Sequence, residues 1–66
     1  MGVNHLEELR TFLKKNKGKR FSRTDLRNEL NHNYNTVLQN LKYLIEIEKV
    51  VITFFVEEKS FYQWKS

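Results

Sequence analysis

The chain has 66 residues, with 12 Lys and Arg against 8 Asp and Glu, and a formal charge of +4. This length predicts one small domain over residues 1–66, and the absence of cysteine excludes disulfides and thiolate zinc sites. No apolar run approaches the roughly 18 residues of a membrane-spanning helix. The acidic start lacks the pattern of a secretion signal, so we expect a complete cytoplasmic chain without a leader.

The first predicted helix covers residues 4–17, in which leucine and phenylalanine recur at helical spacing. Asn4 is typical of an N-cap, and Glu7 three residues later is its expected partner. Acidic residues come first and lysines last, an order that suits the helix dipole. Gly18 supplies the left-handed residue that is expected to end this helix.

A turn or brief strand that includes Phe21 precedes a short predicted helix at residues 23–30. Ser22 and Asp25 have the spacing of a capping box, with Asp in place of the preferred Glu or Gln. Phe21 and Leu26 occupy the two positions of a hydrophobic staple, which fixes the angle at which the chain enters the helix.

The third predicted helix covers residues 34–48 and follows an Asn-His-Asn turn at residues 31–33. Its apolar residues form one stripe at helical spacing. They are Val37, Leu38, Leu41, Leu44 and Ile45. The opposite face carries Asn35, Gln39, Lys42, Tyr43 and Glu46, with Thr36 and Asn40 towards its margin.

From Val50 onward, β-branched and aromatic residues predict a terminal β-hairpin. A three-residue loop at residues 57–59 separates the apolar side chains best, although a slip of one residue would invert the two faces. One face then holds Ile52, Phe54, Val56, Tyr62 and Trp64, and the other holds Val51, Thr53, Phe55, Phe61, Gln63 and Lys65. Val51, Phe55 and Phe61 would form an outer apolar patch, which predicts a homodimer.

The order of helix, short strand, short helix, turn, longer helix and hairpin resembles the winged helix-turn-helix domains of small bacterial, archaeal and viral DNA-binding regulators. The most specific part of the resemblance covers residues 21–30 and 34–44. It implies an α+β fold of three helices, a short strand and a hairpin that acts as the wing. It also implies binding to double-stranded DNA and a role in transcription regulation.

Two features depart from the pattern of this family. The glycine that is common between the third helix and the wing is absent, and Glu48 or Lys49 stands there. The wing is often basic in the family, whereas Glu57 and Glu58 occupy its tip here, followed by Lys59. These acids weaken the expectation that the wing enters the minor groove.

The chemistry of the residues also indicates DNA binding. Asn and Gln side chains can bridge two atoms of adenine, and Asn35 and Gln39 offer such groups. Seven of the twelve basic residues lie between Lys14 and Arg27, with Asp25 as the only acid among them. The predicted DNA contacts are Arg20, Ser22, Arg23, Thr24, Arg27, Asn33, Tyr34, Asn35, Thr36, Gln39, Asn40, Lys42, Tyr43 and Lys59.

We therefore expect a nucleoid-associated protein that binds duplex DNA, with helix 34–48 in the major groove and helix 23–30 at a phosphate. Paired carboxylates, a phosphate loop and metal-ligand spacing are not found in the sequence, so we expect no enzymatic activity, cofactor, metal or small-molecule effector. His5 and His32 are expected to be exposed and without a role.

Two alternatives remain open. The first is a winged helix that serves as a protein-interaction module in a transcription or replication assembly, which the acidic wing and the apolar patch favour. The second is recognition of RNA or left-handed DNA, to which Tyr43 and Trp64 would contribute.

Overall fold

The computed structural model describes residues 4–65. In chain order its elements are α1 (His5–Lys15), β1 (Phe21–Ser22), α2 (Arg23–Leu30), α3 (Tyr34–Glu46), β2 (Val51–Val56) and β3 (Lys59–Trp64). The three helices pack with one antiparallel sheet of strand order β1-β3-β2, so the predicted α+β class and the order of elements are confirmed. None of the helices in this range combines the length and apolarity that crossing a bilayer requires. The expectation about a leader rests partly on residues 1–3, which lie outside the described part.

Local capping chemistry sets where the helices begin. Ser22 Oγ accepts a hydrogen bond from the Asp25 amide at 3.1 Å, and Asp25 Oδ2 accepts one from the Ser22 amide at 3.1 Å. This capping box confirms the predicted bounds of α2. The Asn4 side chain likewise accepts from the Glu7 amide at 3.0 Å. Each such cap stabilises its helix by about 1 kcal/mol.

Both α1 and α3 end two residues earlier than predicted. In α1, the Asn16 side-chain amide donates to the Phe12 carbonyl oxygen at 2.8 Å and closes the last turn. Gly18, with φ of 92°, lies in the turn beyond. After α3, Lys49 takes the left-handed conformation at φ of 56°, so a lysine stands where a glycine would be less strained.

The core lies between the helices and one face of the sheet. Its buried apolar residues are Leu9, Leu13, Leu26, Val37, Leu41, Leu44, Val51 and Tyr62. Six of these eight come from the helical stripes that the periodicity predicts. Phe12 and Phe21 pack against this core with their ring centroids 5.0 Å apart.

The predicted hairpin register is wrong by one residue. Val56 pairs with Lys59, so the loop contains only Glu57 and Glu58. Both glutamates have positive φ, 48° and 65°, as the hairpin turn that matches the twist of the strands requires. The inner face therefore holds Val51, Thr53, Phe55, Ser60, Tyr62 and Trp64, and the outer face holds Ile52, Phe54, Val56, Lys59, Phe61 and Gln63.

The predicted outer patch of Val51, Phe55 and Phe61 does not form, because this register separates its members. Val51 is 4% exposed and belongs to the core. Phe61 lies on the opposite face of the sheet. Phe55 shares the inner face with Val51 but is 71% exposed, because the helices do not cover the tip of the hairpin.

The structure also corrects the expectation that His32 is exposed. Only 6% of this residue is accessible, and its ring stacks on that of His5 with 4.2 Å between the centroids. Its Nε2 atom lies 2.5 Å from Oε1 of Glu8. Asn31 ends α2 in the left-handed conformation just before it. The ring can be buried because α1 supplies a polar partner for it.

Candidate nucleic-acid interface

The solvent-facing side of α3 is polar, as the periodicity predicts. Val37, Leu41 and Leu44 are buried on the opposite side. The exposed residues are Asn35, Gln39, Lys42, Tyr43 and Glu46, and the half-buried residues at the margin include Thr36 and Asn40. Because Asn35 and Gln39 are four residues apart, their amides are neighbours on one helical face, where both can reach the edge of a base.

The start of α3 is fixed by Asn33, another of the predicted DNA contacts. Its Oδ1 atom accepts a hydrogen bond from the Asn35 amide at 2.8 Å, so Asn33 is the N-cap of the helix. The side-chain oxygen is thus engaged in the cap, and the side-chain nitrogen can donate a further hydrogen bond. The cap places Tyr34 and Asn35 in the first turn of α3.

An open groove of about 480 Å³ lies between the start of α2, the first residue of α3 and the tip of the hairpin. Five predicted contacts line it, namely Ser22, Arg23, Thr24, Tyr34 and Lys59. Asp25, Glu58 and Ser60 line it as well, although they are not among the predicted contacts. Asp25 could have been included from its place in the capping box, whereas Glu58 and Ser60 follow from the two-residue hairpin loop.

The N-terminal end of α2, where the helix dipole is positive, lines the groove. An anion in the groove would therefore be most stable beside this helix end. The Ser22 amide already donates to Asp25, so the remaining donors at this helix start are the Ser22 hydroxyl and the amides and side chains of Arg23 and Thr24. Lys59 adds a second positive charge to the lining, whereas Asp25 and Glu58 offset both charges. A phosphate would therefore bind beside Arg23 and away from the carboxylate of Glu58.

Other predicted contacts lie outside this groove. The Arg20 guanidinium carbon lies 4.0 Å from the centroid of the Phe54 ring, a cation–π contact on the outer face of the sheet. Arg27 is exposed one turn after Arg23 on α2, so the two arginines share a helical face. Lys42 is exposed further along α3. The structure thus places Arg20 against the outer face of the sheet, whereas Arg23 and Arg27 lie on α2.

A comparison with protein-family models, with curated proteins and with solved structures gives no match for this chain.

Proposed function

We propose that the protein is a winged helix-turn-helix domain that binds duplex DNA. In this proposal α3 lies in the major groove, the start of α2 contacts a phosphate, and the β2–β3 hairpin is the wing. The observation that carries the proposal is the polar face of α3, which starts at Tyr34 beside the groove lined by Arg23 and Lys59. The DNA major groove is about 12 Å wide, which admits one helix with its side chains.

The exposed side chains divide into two chemical classes on this interface. The side-chain amide of Asn35 or of Gln39 can donate to N7 and accept from N6 of one adenine, so these two residues would contribute sequence preference. The cations Arg23, Arg27 and Lys59 would contact phosphates, which carry no sequence information. Affinity for any duplex should therefore depend on salt, whereas specificity should depend on α3.

The test is a fluorescence anisotropy titration of a labelled duplex of random sequence over a series of salt concentrations. Arg23→Ala should weaken binding and reduce the slope of log K against log salt by about 0.9, since one phosphate contact is lost. Lys17→Ala is the matched control, because it removes one positive charge from the turn after α1. Equal effects of the two substitutions would place the contact elsewhere. Native protein that shows no salt-dependent binding would contradict the proposal.

The edge of the sheet favours a second candidate function, a protein-interaction module. Because β3 is the central strand, β2 lies at an edge, and Ile52, Phe55 and Val56 are all at least 39% exposed on it. Such an edge can pair with a strand of another chain, including a second copy of this protein. In this case sedimentation velocity should show association that Phe55→Ser abolishes. DNA affinity should not change.

A further inference from the structure

Three side chains that commonly bind metal ions converge at the start of α1. His5 and Glu8 lie on the first turns of this helix, and His32 reaches them from the turn between α2 and α3. One ligand atom of each residue lies within 4.8 Å of those of the other two. None of the three lines the groove at the start of α2. The sequence spacing alone does not indicate this cluster, because Glu8 and His32 are 24 residues apart.

We propose that His5, Glu8 and His32 form a binding site for Zn²⁺, with water as the fourth ligand. Two imidazoles and one carboxylate form a donor set that is typical of zinc, whereas Mg²⁺ and Ca²⁺ prefer oxygen ligands alone. None of the three ligands is a predicted DNA contact, so the site can be tested without DNA. A bound ion would fix the start of α1 to the turn that precedes α3.

The geometry needs only small movements to accept the ion. Zinc–nitrogen and zinc–oxygen bonds of about 2.0–2.2 Å place neighbouring ligand atoms of a tetrahedral ion about 3.3 Å apart. Nε2 of His32 and Oε1 of Glu8, now 2.5 Å apart, would separate by about 0.8 Å. Two ligand atoms that lie 4.8 Å apart would have to approach each other by about 1.5 Å. Rotation of the His5 or Glu8 side chain can produce this movement.

The burial of His32 provides a second argument for a ligand. Its side chain is only 3% exposed, and its Nδ1 atom has no hydrogen-bond partner within residues 4–65. A zinc ion on Nε2 fixes the ring proton on Nδ1, so the metal uses the nitrogen that already faces Glu8 and not the unpartnered one. The ring is also stacked on a second imidazole and contacts a carboxylate. A divalent cation would bind the lone pairs that these three groups bring together.

The test is isothermal titration of the full chain, without a histidine tag, with Zn²⁺ in the absence of DNA. We expect one zinc ion per chain and a higher melting temperature with Zn²⁺, but no such effect with Mg²⁺. Co²⁺ in place of zinc should show the visible absorption of a tetrahedral site. Because no DNA is present, the result is independent of the proposed DNA-binding function.

His5→Gln and Glu8→Gln are the informative variants, since neither residue is fully buried and the fold should survive both changes. Each should weaken zinc binding by more than tenfold. Glu29→Gln, which neutralises an exposed carboxylate on α2, is the matched control and should bind zinc as the native chain does. The absence of stoichiometric binding, or equal binding by all three variants, would overturn the proposal.

Discussion

The guanidinium of Arg10 forms a bidentate ion pair with the carboxylate of Glu48, which joins α1 to the loop after α3. Nε donates to Oε1 at 3.0 Å, and Nη2 donates to Oε2. Nη1 of the same group donates to Glu7, one turn earlier on α1. The hydrogen bonds between these two side chains lower the pKa of Glu48 and raise the pKa of Arg10. The pair thus holds the end of α3 against a second helix.

The stabilising effect of this ion pair should disappear in acid. The pKa of Glu48 in the folded protein lies below its ordinary value of 4.5, so the pair stabilises the fold at higher pH and loses this effect as the carboxylate is protonated. Urea unfolding should find Glu48→Gln less stable than the native chain at neutral pH and equally stable in strong acid. Glu29→Gln, which removes one exposed carboxylate from α2, is the control for the loss of a single negative charge at neutral pH. If the free energy of unfolding of Glu48→Gln differed from that of the native chain by the same amount at every pH, the ion pair would not be the cause.

Local chemistry allowed much of the fold to be predicted from the sequence. The Ser22–Asp25 capping box involves residues three apart, and the bounds of α2 were predicted correctly. The polar face of α3 was predicted for a similar reason, because the periodicity of one helix decides which side is buried. The predicted residues Asn35 and Gln39 are accordingly exposed together.

Features that depend on distant residues were not predicted. His32 is buried because Glu8 on α1, 24 residues earlier in the chain, provides its polar partner. The hairpin register depends on a turn whose two glutamates are poor candidates for positive φ, so nothing in the local sequence favoured the short loop. The positions of Glu58 and Ser60 in the groove follow from that register and were missed with it.

The positive φ angles of Glu57 and Glu58 indicate a substitution that should stabilise the protein. Left-handed backbone costs an ordinary residue about 1–2 kcal/mol, whereas Asn and Gly adopt it readily. Replacing Glu57 by Asn and Glu58 by Gly should raise the free energy of unfolding by about 1 kcal/mol, and the melting temperature by about 4–8 °C. Calorimetry of Glu57→Gln/Glu58→Gln, which removes the charges but keeps the strain, separates the backbone effect from the electrostatic one. Equal gains in the two double variants would assign the effect to charge.

Lys49 offers an independent test of the backbone after α3. Its φ of 56° predicts that Lys49→Gly stabilises the fold by about 0.5–1 kcal/mol. Lys42→Gly, the same substitution inside α3, should destabilise it by about 1 kcal/mol, because glycine is a poor helix former. Chemical denaturation of both variants checks the opposite signs. Destabilisation by both would show that Lys49 is not left-handed in solution.

Gln39 tests whether α3 contacts bases. Once a preferred sequence has been selected from a random pool, Gln39→Ala should reduce affinity for it by about 1–3 kcal/mol and relax the preference at one base pair. Affinity for random duplexes should change little, since the amide contacts no phosphate in this arrangement. Asn28→Ala, which removes an exposed amide from α2, is the control for both measurements. A uniform loss on all sequences would indicate that Gln39 contacts the backbone of DNA instead.

In the proposed complex with DNA, the carboxylate of Glu58 would repel a phosphate in the groove, so its neutralisation should strengthen binding to DNA. Glu58 lines the groove together with Arg23 and Lys59, whereas Glu57 is not part of this lining. Glu58→Gln should increase affinity for random duplexes several-fold at low salt, and the gain should shrink as salt screens the charges. Glu57→Gln carries the same change of net charge at the neighbouring position of the turn and should have a smaller effect. Equal gains in anisotropy titrations would mean that only the overall charge of the protein matters, and unchanged affinity in both would place the phosphate away from the wing.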